Sequence, residues 1–418
     1  MNGTSVVGLG KLGLPFAVCL ASKGFQVIGV DIDESKIKAV NNGVSPISET
    51  NLQEMLSRHK DSIIATNDYR YALANSNVSF ILVDTASDSD RGYSSEKLEL
   101  SCREIGKVLR DKDTFHVVVV ASTVLPLTCE KKLKPILEKH SEKKCPADFG
   151  LCYSPEFIAL GSVIHDFLNP NFFLIGESDP KSGQIVENIY RKISNSKIVR
   201  TSIVNAELTK IAINCFLTTK ISFANTLGEL CEKLPNANAN TITSILGLDH
   251  RINAGFLKAG LGYGGPCFPR DNKAFTFLAK QLVCQSWLAE ATDKVNAIQV
   301  DRIIEKVKNI LRRKGTVAVL GLAYKPNTEI VEASQSLEVA KYLSDLGYKV
   351  KVYDPQAINQ AKKILGDSVI YCNSLQKCVE NTDLCIVATP WKEFEHLEVS
   401  VPLISCWDVT KQKFDLVH

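Results

Sequence analysis

Ser5-Val6-Val7-Gly8-Leu9-Gly10-Lys11-Leu12-Gly13 decides the fold. A short β-branched run enters a turn with glycines at 8, 10 and 13, a helical pattern follows, and Asp31 closes the next apolar run. The first two glycines permit a tight turn and the approach of a pyrophosphate to backbone N–H groups; the third lets helix and strand pack closely. Asp31 is placed to accept hydrogen bonds from an adenosine ribose and to repel a 2′-phosphate, which favours NAD over NADP. With strand, helix and acid in register the stretch reads as a dinucleotide site, although a flavin dinucleotide satisfies the same fingerprint. Gly8, Gly10, Lys11, Leu12, Gly13, Asp31, Lys36, Thr85 and Thr123 form the candidate cofactor set.

Working outward, residues 3 to about 195 alternate β-branched runs with helical patterns. The runs at 27–30, 78–83, 117–120 and 172–175 predict strands buried on both faces, as in a parallel sheet. Asn205 reads as an N-cap opening a helix from 206 to about 234, interrupted only by Gly228. At 1.5 Å per residue it is roughly 42 Å long. A third region begins near Arg302 and echoes the first: Thr316-Val317-Ala318-Val319-Leu320-Gly321 parallels the opening strand, and Gly347-Tyr348-Lys349-Val350-Lys351-Val352-Tyr353-Asp354 parallels the strand that ends at Asp31. The expected architecture is α/β: two Rossmann-like doubly wound domains at 1–195 and 301–418, joined by a central helical region at 196–300. In the second, Gly321-Leu322-Ala323-Tyr324-Lys325 replaces the glycine triplet, obstructing pyrophosphate approach and leaving a crevice for a different nucleotide, with Lys325 a candidate phosphate contact or simply a loop lysine.

Composition narrows the classes. The chain has 418 residues, 45% hydrophobic and 23% charged, with 49 Lys+Arg against 46 Asp+Glu. That balance gives no basic footprint for nucleic acid, and no run approaches the roughly 18 apolar residues of a membrane span. The N-terminus enters an apolar strand and turn directly, without the layout of a secretory signal, so a cytoplasmic location is expected. Thirteen cysteines are scattered, without a C-x-x-C pair, which predicts core thiols and no metal site.

The densest segment is Arg251-Ile252-Asn253-Ala254-Gly255-Phe256-Leu257-Lys258-Ala259-Gly260-Leu261-Gly262-Tyr263-Gly264-Gly265-Pro266-Cys267-Phe268-Pro269-Arg270-Asp271. Four glycines between 260 and 265 describe a loop whose backbone comes close to something, and Pro269 suits the first turn of a helix. Cys267 then stands at a helix N-terminus near Arg270, where the dipole favours thiolate, with Asp271 on the first turn beside it. On the long helix Lys210, Asn214 and Thr218 form a polar line at i, i+4, i+8, while Leu208, Ile211, Ala212 and Cys215 form an apolar stripe. The line is either a solvated face or a place to hold an oxyanion. Glu156 and Thr123 stand where doubly wound sheets carry functional groups, at strand carboxyl ends.

At the cysteine segment the sequence resembles the UDP-glucose/GDP-mannose dehydrogenase family of nucleotide-sugar dehydrogenases. The resemblance runs through the Gly8 fingerprint, Ser122-Thr123-Val124, Ser154-Pro155-Glu156-Phe157, Ala206-Glu207-Leu208-x-Lys210, the cysteine loop and Gly321-Leu322-Ala323-Tyr324-Lys325-Pro326-Asn327-Thr328. It implies an N-terminal NAD domain, a central helix that builds a homodimer, and a C-terminal domain that helps bind the nucleotide sugar. The implied reaction converts a sugar C6 alcohol to a carboxylate with two NAD+ and one water, supplying a uronic acid for surface polysaccharide. By resemblance Cys267 is the nucleophile, Lys210 and Asn214 stabilise the oxyanion, Asp271 assists proton transfer or water activation, and Glu156 and Thr123 take part in proton transfer. Arg251 matches an arginine that reaches the neighbouring subunit's substrate; Phe157, Phe256, Lys258, Gly264 and Lys325, with Glu156, Lys210 and Asn214, complete the implied substrate set.

The chain departs from the family pattern at Val83-Asp84-Thr85-Ala86, at Ala159-Leu160-Gly161 and at Glu329-Ile330-Val331-Glu332-Ala333-Ser334, so that Leu160 and Glu332 replace an acid and a base that contact the dinucleotide in relatives. Arg251-Ile252, Phe256-x-Lys258 and Tyr263-Gly264-Gly265-x-Cys267-Phe268-Pro269 look like the UDP-glucose branch, with UDP-N-acetylhexosamine and GDP-mannose as alternatives. A single-step hydroxyacid-type dehydrogenase would share the first domain but not need Cys267; a non-catalytic nucleotide-sugar binder would fit the changes at Leu160 and Glu332.

Overall fold

The computed structural model describes residues 3–85 and 93–407. Eight strands form the first sheet: β1 Gly3–Val7, β2 Gln26–Val30, β3 Ile63–Thr66, β4 Val78–Ile81, β5 Val117–Val120, β6 Gly150–Tyr153, β7 Phe172–Glu177 and β8 Lys197–Ser202. Their order is β3-β2-β1-β4-β5-β6-β7-β8. The chain runs outward from β1 to β3 and then returns to β4 on the other side of β1, which opens a crevice at the carboxyl ends of β1 and β4.

β1, β4, β5 and β6 are buried along their whole length. Alternate residues face opposite layers: Val6 and Val27 lie in one apolar cluster, Val7 and Ile28 in the other. All neighbouring pairs are parallel except β6 and β7, which meet antiparallel through Cys152–Glu177 and Tyr153–Gly176. The run at 172–175 therefore reverses direction against its neighbour, which a buried apolar strand does not announce. The run expected at 78–83 pairs only as far as Ile81, and its last residues turn out of the sheet at the crevice.

A second sheet contains β9 Thr316–Leu320, β10 Lys349–Tyr353, β11 Ile370–Tyr371, β12 Leu384–Val387 and β13 Leu403–Ser405, in the order β11-β10-β9-β12-β13, all parallel. Its strands β11-β10-β9-β12 repeat the arrangement β3-β2-β1-β4, so the internal echo in the sequence is an echo in topology. Both domains are doubly wound, as the sequence predicts.

The long helix spans Ile203–Cys231. It begins three residues before the expected start, because Ser202 Oγ accepts from the Asn205 N–H at 3.4 Å while Asn205 itself sits inside the first turn and donates to Thr201 Oγ1 at 3.0 Å. It ends before Leu234. The chain divides into two compact units, 1–212 and 213–418, and the helix passes from one into the other. Among the described residues no helix is long and apolar enough to cross a membrane.

Candidate active site

In the first unit the Gly-rich turn is built by contact. Gly8 has φ +97°, and a Cβ there would lie 2.5 Å from Leu82 O; a Cβ on Gly13 would lie 1.8 Å from Gly8 O. These two glycines are required by the chain itself. At Gly10 a Cβ would meet nothing within 4 Å, so glycine there keeps open space in front of the helix Gly13–Ser22. Asp31 ties this turn to the end of β2: its Oδ2 accepts from Leu9 N at 2.8 Å, its Oδ1 from Asp33 N at 3.0 Å, and Lys36 Nζ lies 3.8 Å away. The open position, the helix N-terminus and the fixed acid fit a dinucleotide, with the turn at 8–13 holding the pyrophosphate and Asp31 the ribose. Lys11 and Leu12 are exposed on the turn, and Thr85 is buried beyond β4. Ala86 lies outside the described residues.

The second sheet has the same acid in a different state. Asp354, the counterpart of Asp31, accepts from Leu322 N, Ala323 N, Gln356 N, Ala357 N and Trp391 Nε1 at 2.7–3.2 Å and is buried. Five donors occupy a carboxylate that in the first sheet takes two backbone N–H groups. Together with the missing glycine triplet this removes the ribose acceptor from the second crevice.

Thr123 is half-buried just past β5, and the neighbouring Ser122 Oγ donates to Val83 O at 2.6 Å, pinning the ends of β4 and β5 together. The loop after β6 carries Glu156 and Phe157. Lys210 Nζ donates to the Glu156 backbone carbonyl and stands 5.1 Å over the Phe157 ring. Burial raises the Glu156 carboxyl to a pKa of about 8, with the Lys210 charge opposing the shift. The structure thus brings Glu156, Phe157 and Lys210 together, and Lys210 meets the main chain of Glu156. Leu160, farther along this loop, is half-buried.

One turn earlier on the helix, Glu207 is fully buried and accepts from Leu127 N at 2.6 Å and Cys129 N at 2.9 Å. Leu127 has φ +72°, so the carboxylate holds a strained turn in the segment that follows Thr123. Burial raises the Glu207 pKa to about 7, against the lowering by those amide hydrogen bonds. In the sequence the one signal for Glu207 is its place in Ala206-Glu207-Leu208-x-Lys210, which does not reveal this role.

Ten of the thirteen cysteines are buried; the other three, all in the second unit, are the exposed Cys267 and Cys284 and the half-buried Cys231. Cys267 is the N-cap residue of the helix Phe268–Gln281, with Pro269 in its first turn. Asp271, on that turn, is fully buried and accepts from Asn214 Nδ2 at 2.6 Å, while Arg270 Nε lies 3.7 Å from its other oxygen. Thr218 Oγ1 donates to Asn272 Oδ1 at 3.0 Å. The polar line on the long helix is therefore not a solvated face: Asn214 and Thr218 are buried against the helix that begins beside Cys267. Of the predicted apolar stripe, Ile211 and Cys215 are buried but Leu208 is 40% exposed.

Gly264 and Gly265 let the cysteine loop pack closely. A Cβ on Gly264 would lie 2.1 Å from Ala333 O, and one on Gly265, at φ +81°, would lie 2.5 Å from the Tyr324 ring. Gly265 N also donates to Glu332 O at 3.0 Å, so the exposed Glu332 contributes its main chain to this loop. Burial raises the Tyr324 hydroxyl pKa, and the Cys267 charge adds to it. Lys325 is half-buried with Nζ 5.9 Å from the Tyr324 ring. Arg251 and Lys258 are exposed, Arg251 held by Asp249 through bonds of 2.6–3.2 Å. Phe256, half exposed with φ +61°, packs edge-on to Phe268 at 6.0 Å.

The chain is similar to known proteins along nearly its whole length. The UDP-glucose/GDP-mannose dehydrogenase family matches in three segments: its NAD binding domain at 2–194, its central domain at 204–298 and its UDP binding domain at 318–405. UDP-glucose 6-dehydrogenase TuaD of Bacillus subtilis is 35% identical over 96% of this chain and 86% of its own length. GDP-mannose 6-dehydrogenase of Pseudomonas putida is 33% identical over 99% and 95%. A UDP-glucose dehydrogenase structure from Pyrobaculum islandicum superposes with a TM-score of 0.92 at 33% identity, covering 98% of this chain and 95% of that one. With an open dinucleotide turn in the first sheet, a closed one in the second and likeness along nearly the whole chain, the protein belongs to the UDP-glucose/GDP-mannose dehydrogenase family and is an NAD-dependent nucleotide-sugar 6-dehydrogenase.

Proposed function

We propose that the protein oxidises UDP-glucose at C6 to UDP-glucuronate in two hydride-transfer steps, with Cys267 as a covalent nucleophile. The observation that carries this reading is the exposed thiol at the start of the Phe268–Gln281 helix, whose first turn is bonded through Asp271 to Asn214. NAD, when bound, supplies the hydride acceptor. An aldehyde at C6 has no leaving group, so the Cys267 thiolate adds to its carbonyl carbon, a C–S bond forms and the carbonyl electrons pass to oxygen. The resulting thiohemiacetal carbon still bears the hydrogen that leaves as hydride, giving a thioester. Water then adds its oxygen to the acyl carbon, the C–S bond breaks, the acid is released and the thiol is regenerated.

Lys210 and Asn214 are suited to steady the oxyanion, one by charge and one by an amide N–H. An ammonium carries three donors and an amide two; one of each goes to Glu156 O and Asp271. Asp271 is suited to take the proton of the attacking water, and Glu156 and Thr123 to pass the proton of the alcohol. The UDP binding domain match and the names of the UDP-glucose relatives support UDP-glucose; relatives named for GDP-mannose at similar identity keep GDP-mannose as the second reading. Phe216, Phe223 and Leu230 are exposed at a spacing of seven along the long helix, which supports a homodimer built on that face with Arg251 directed to the partner.

The deciding experiment is a panel of UDP- and GDP-sugars with NAD+, products identified by mass. UDP-glucuronate with two NADH per sugar is expected. One NADH per sugar overturns the covalent mechanism, and turnover of GDP-mannose alone overturns the substrate. Cys267→Ser is expected to retain sugar binding and lose acid formation.

A further inference from the structure

The Gly-rich loop before Cys267 is held by side chains that the reaction does not use. Gly260 N donates to Asn225 Oδ1 at 2.8 Å, and Gly262 N to Gln335 Oε1 at 2.6 Å. Asn296 takes both main-chain groups of Tyr263: Tyr263 N donates to its Oδ1 at 2.7 Å, and its Nδ2 donates to Tyr263 O at 3.0 Å. Gln335 Nε2 donates in turn to Asn296 O at 2.8 Å. A loop with four glycines in six residues has little conformational preference of its own. Its shape comes from these amides.

The Tyr263 side chain extends the hold to the next helix. Its hydroxyl donates to Asp293 Oδ1 and accepts from Asn272 Nδ2 at 2.9 Å, while Asn272 also donates to Asp293 Oδ1 at 3.0 Å. Its ring packs edge-on to Phe268 at 6.3 Å. Phe268 and Asn272 are one turn apart on the Phe268–Gln281 helix. Tyr263 therefore grips that helix at two successive turns, one of them the residue bonded directly to Cys267. Tyr263 and Asn272 are both buried.

We propose that Tyr263, clamped by Asn296 and Asp293, is a positioning residue that sets the angle at which Cys267 meets the sugar carbon. This rests on the covalent reading of Cys267. A nucleophile displaced by 1 Å can lose about a hundredfold in rate, so small rotations of the helix start have large effects on turnover and small ones on binding.

The test uses the full-length enzyme with Tyr263→Phe, which removes one hydroxyl and keeps the ring, and Asn296→Ala, which removes the main-chain clamp. Two quantities are read: kcat and KM for acid formation, and the rate at which iodoacetamide alkylates Cys267, followed by peptide mass with exposed Cys284 as internal reference. Expected are a fall in kcat of about tenfold with KM changed less than about twofold, and a change in Cys267 alkylation of at least about threefold with Cys284 unchanged. Wild-type kcat, or a reduced kcat with Cys267 alkylation unchanged, overturns the proposal. If Asn296→Ala does not fold, Tyr263→Phe decides alone. Cys267→Ser, run in parallel, separates the two claims: acid formation by that variant removes the covalent reading, whereas alkylation in Tyr263→Phe still judges the positioning of the thiol.

Discussion

The side-chain amide of Asn214 donates to the buried carboxylate of Asp271 across 2.6 Å, joining the long helix to the first turn after Cys267. Removing the donor leaves a buried carboxylate short of a partner. Asn214→Ala is expected to destabilise the protein by about 1–3 kcal/mol, measured by guanidinium unfolding. Acid formation should fall by about a hundredfold, measured as NADH release, because in the proposed mechanism the same amide steadies an oxyanion. Unchanged turnover would remove Asn214 from the reaction.

Gly10 and Gly13 separate folding from binding. Gly10→Ala adds a methyl group into empty space, so its melting temperature should match the wild type while NAD affinity, measured by calorimetry, falls at least about tenfold. Gly13→Ala forces a Cβ to within 1.8 Å of Gly8 O and should cost stability of about 1–3 kcal/mol or more. Wild-type NAD binding by Gly10→Ala would mean that the open space is not the pyrophosphate site.

Asp31→Ala is expected to weaken the preference for NAD over NADP, read as the ratio of kcat/KM for the two cofactors. The carboxylate proposed to repel a 2′-phosphate is gone, and Leu9 N and Asp33 N lose their acceptor. An unchanged ratio argues against the ribose role.

Much of this frame was legible because its signals are local. Gly8, Gly10, Gly13 and Asp31 lie within one strand–helix–strand unit, and the run 316–321 repeats it. The start of the long helix is ambiguous in the sequence because Asn205 and Ser202 are both good capping residues three positions apart, and only the backbone decides between them. Burial of Asn214 and Thr218 was not legible from spacing, since their partners Asp271 and Asn272 lie more than fifty residues away. The same holds for Asn225, Asn296 and Gln335, whose amides hold the cysteine loop: a side chain that bonds a distant main chain leaves no period in the sequence.

Glu156 gives a pH signature. Its carboxyl is ordinarily half-ionised near pH 4.5, and burial moves that point to about 8 in the folded protein. Below about pH 4.5 the group is neutral whether the chain is folded or not. Between there and about pH 8 the unfolded chain ionises while the folded one keeps its proton, so stability is lost as pH rises through this window. Glu156→Gln should therefore gain in melting temperature relative to the wild type between about pH 5 and about pH 8.5. A difference that does not grow with pH would place the carboxyl in water.

Asp31 and Asp354 hold matching places in two sheets of the same topology, yet one binds two main-chain groups and the other is saturated by five donors. On the proposed reading a repeated fold thereby has two distinct addresses: one crevice offers the ribose of a dinucleotide an acceptor and the other does not. Cofactor and substrate both carry nucleotides, and each can reach its own berth without competing for the other.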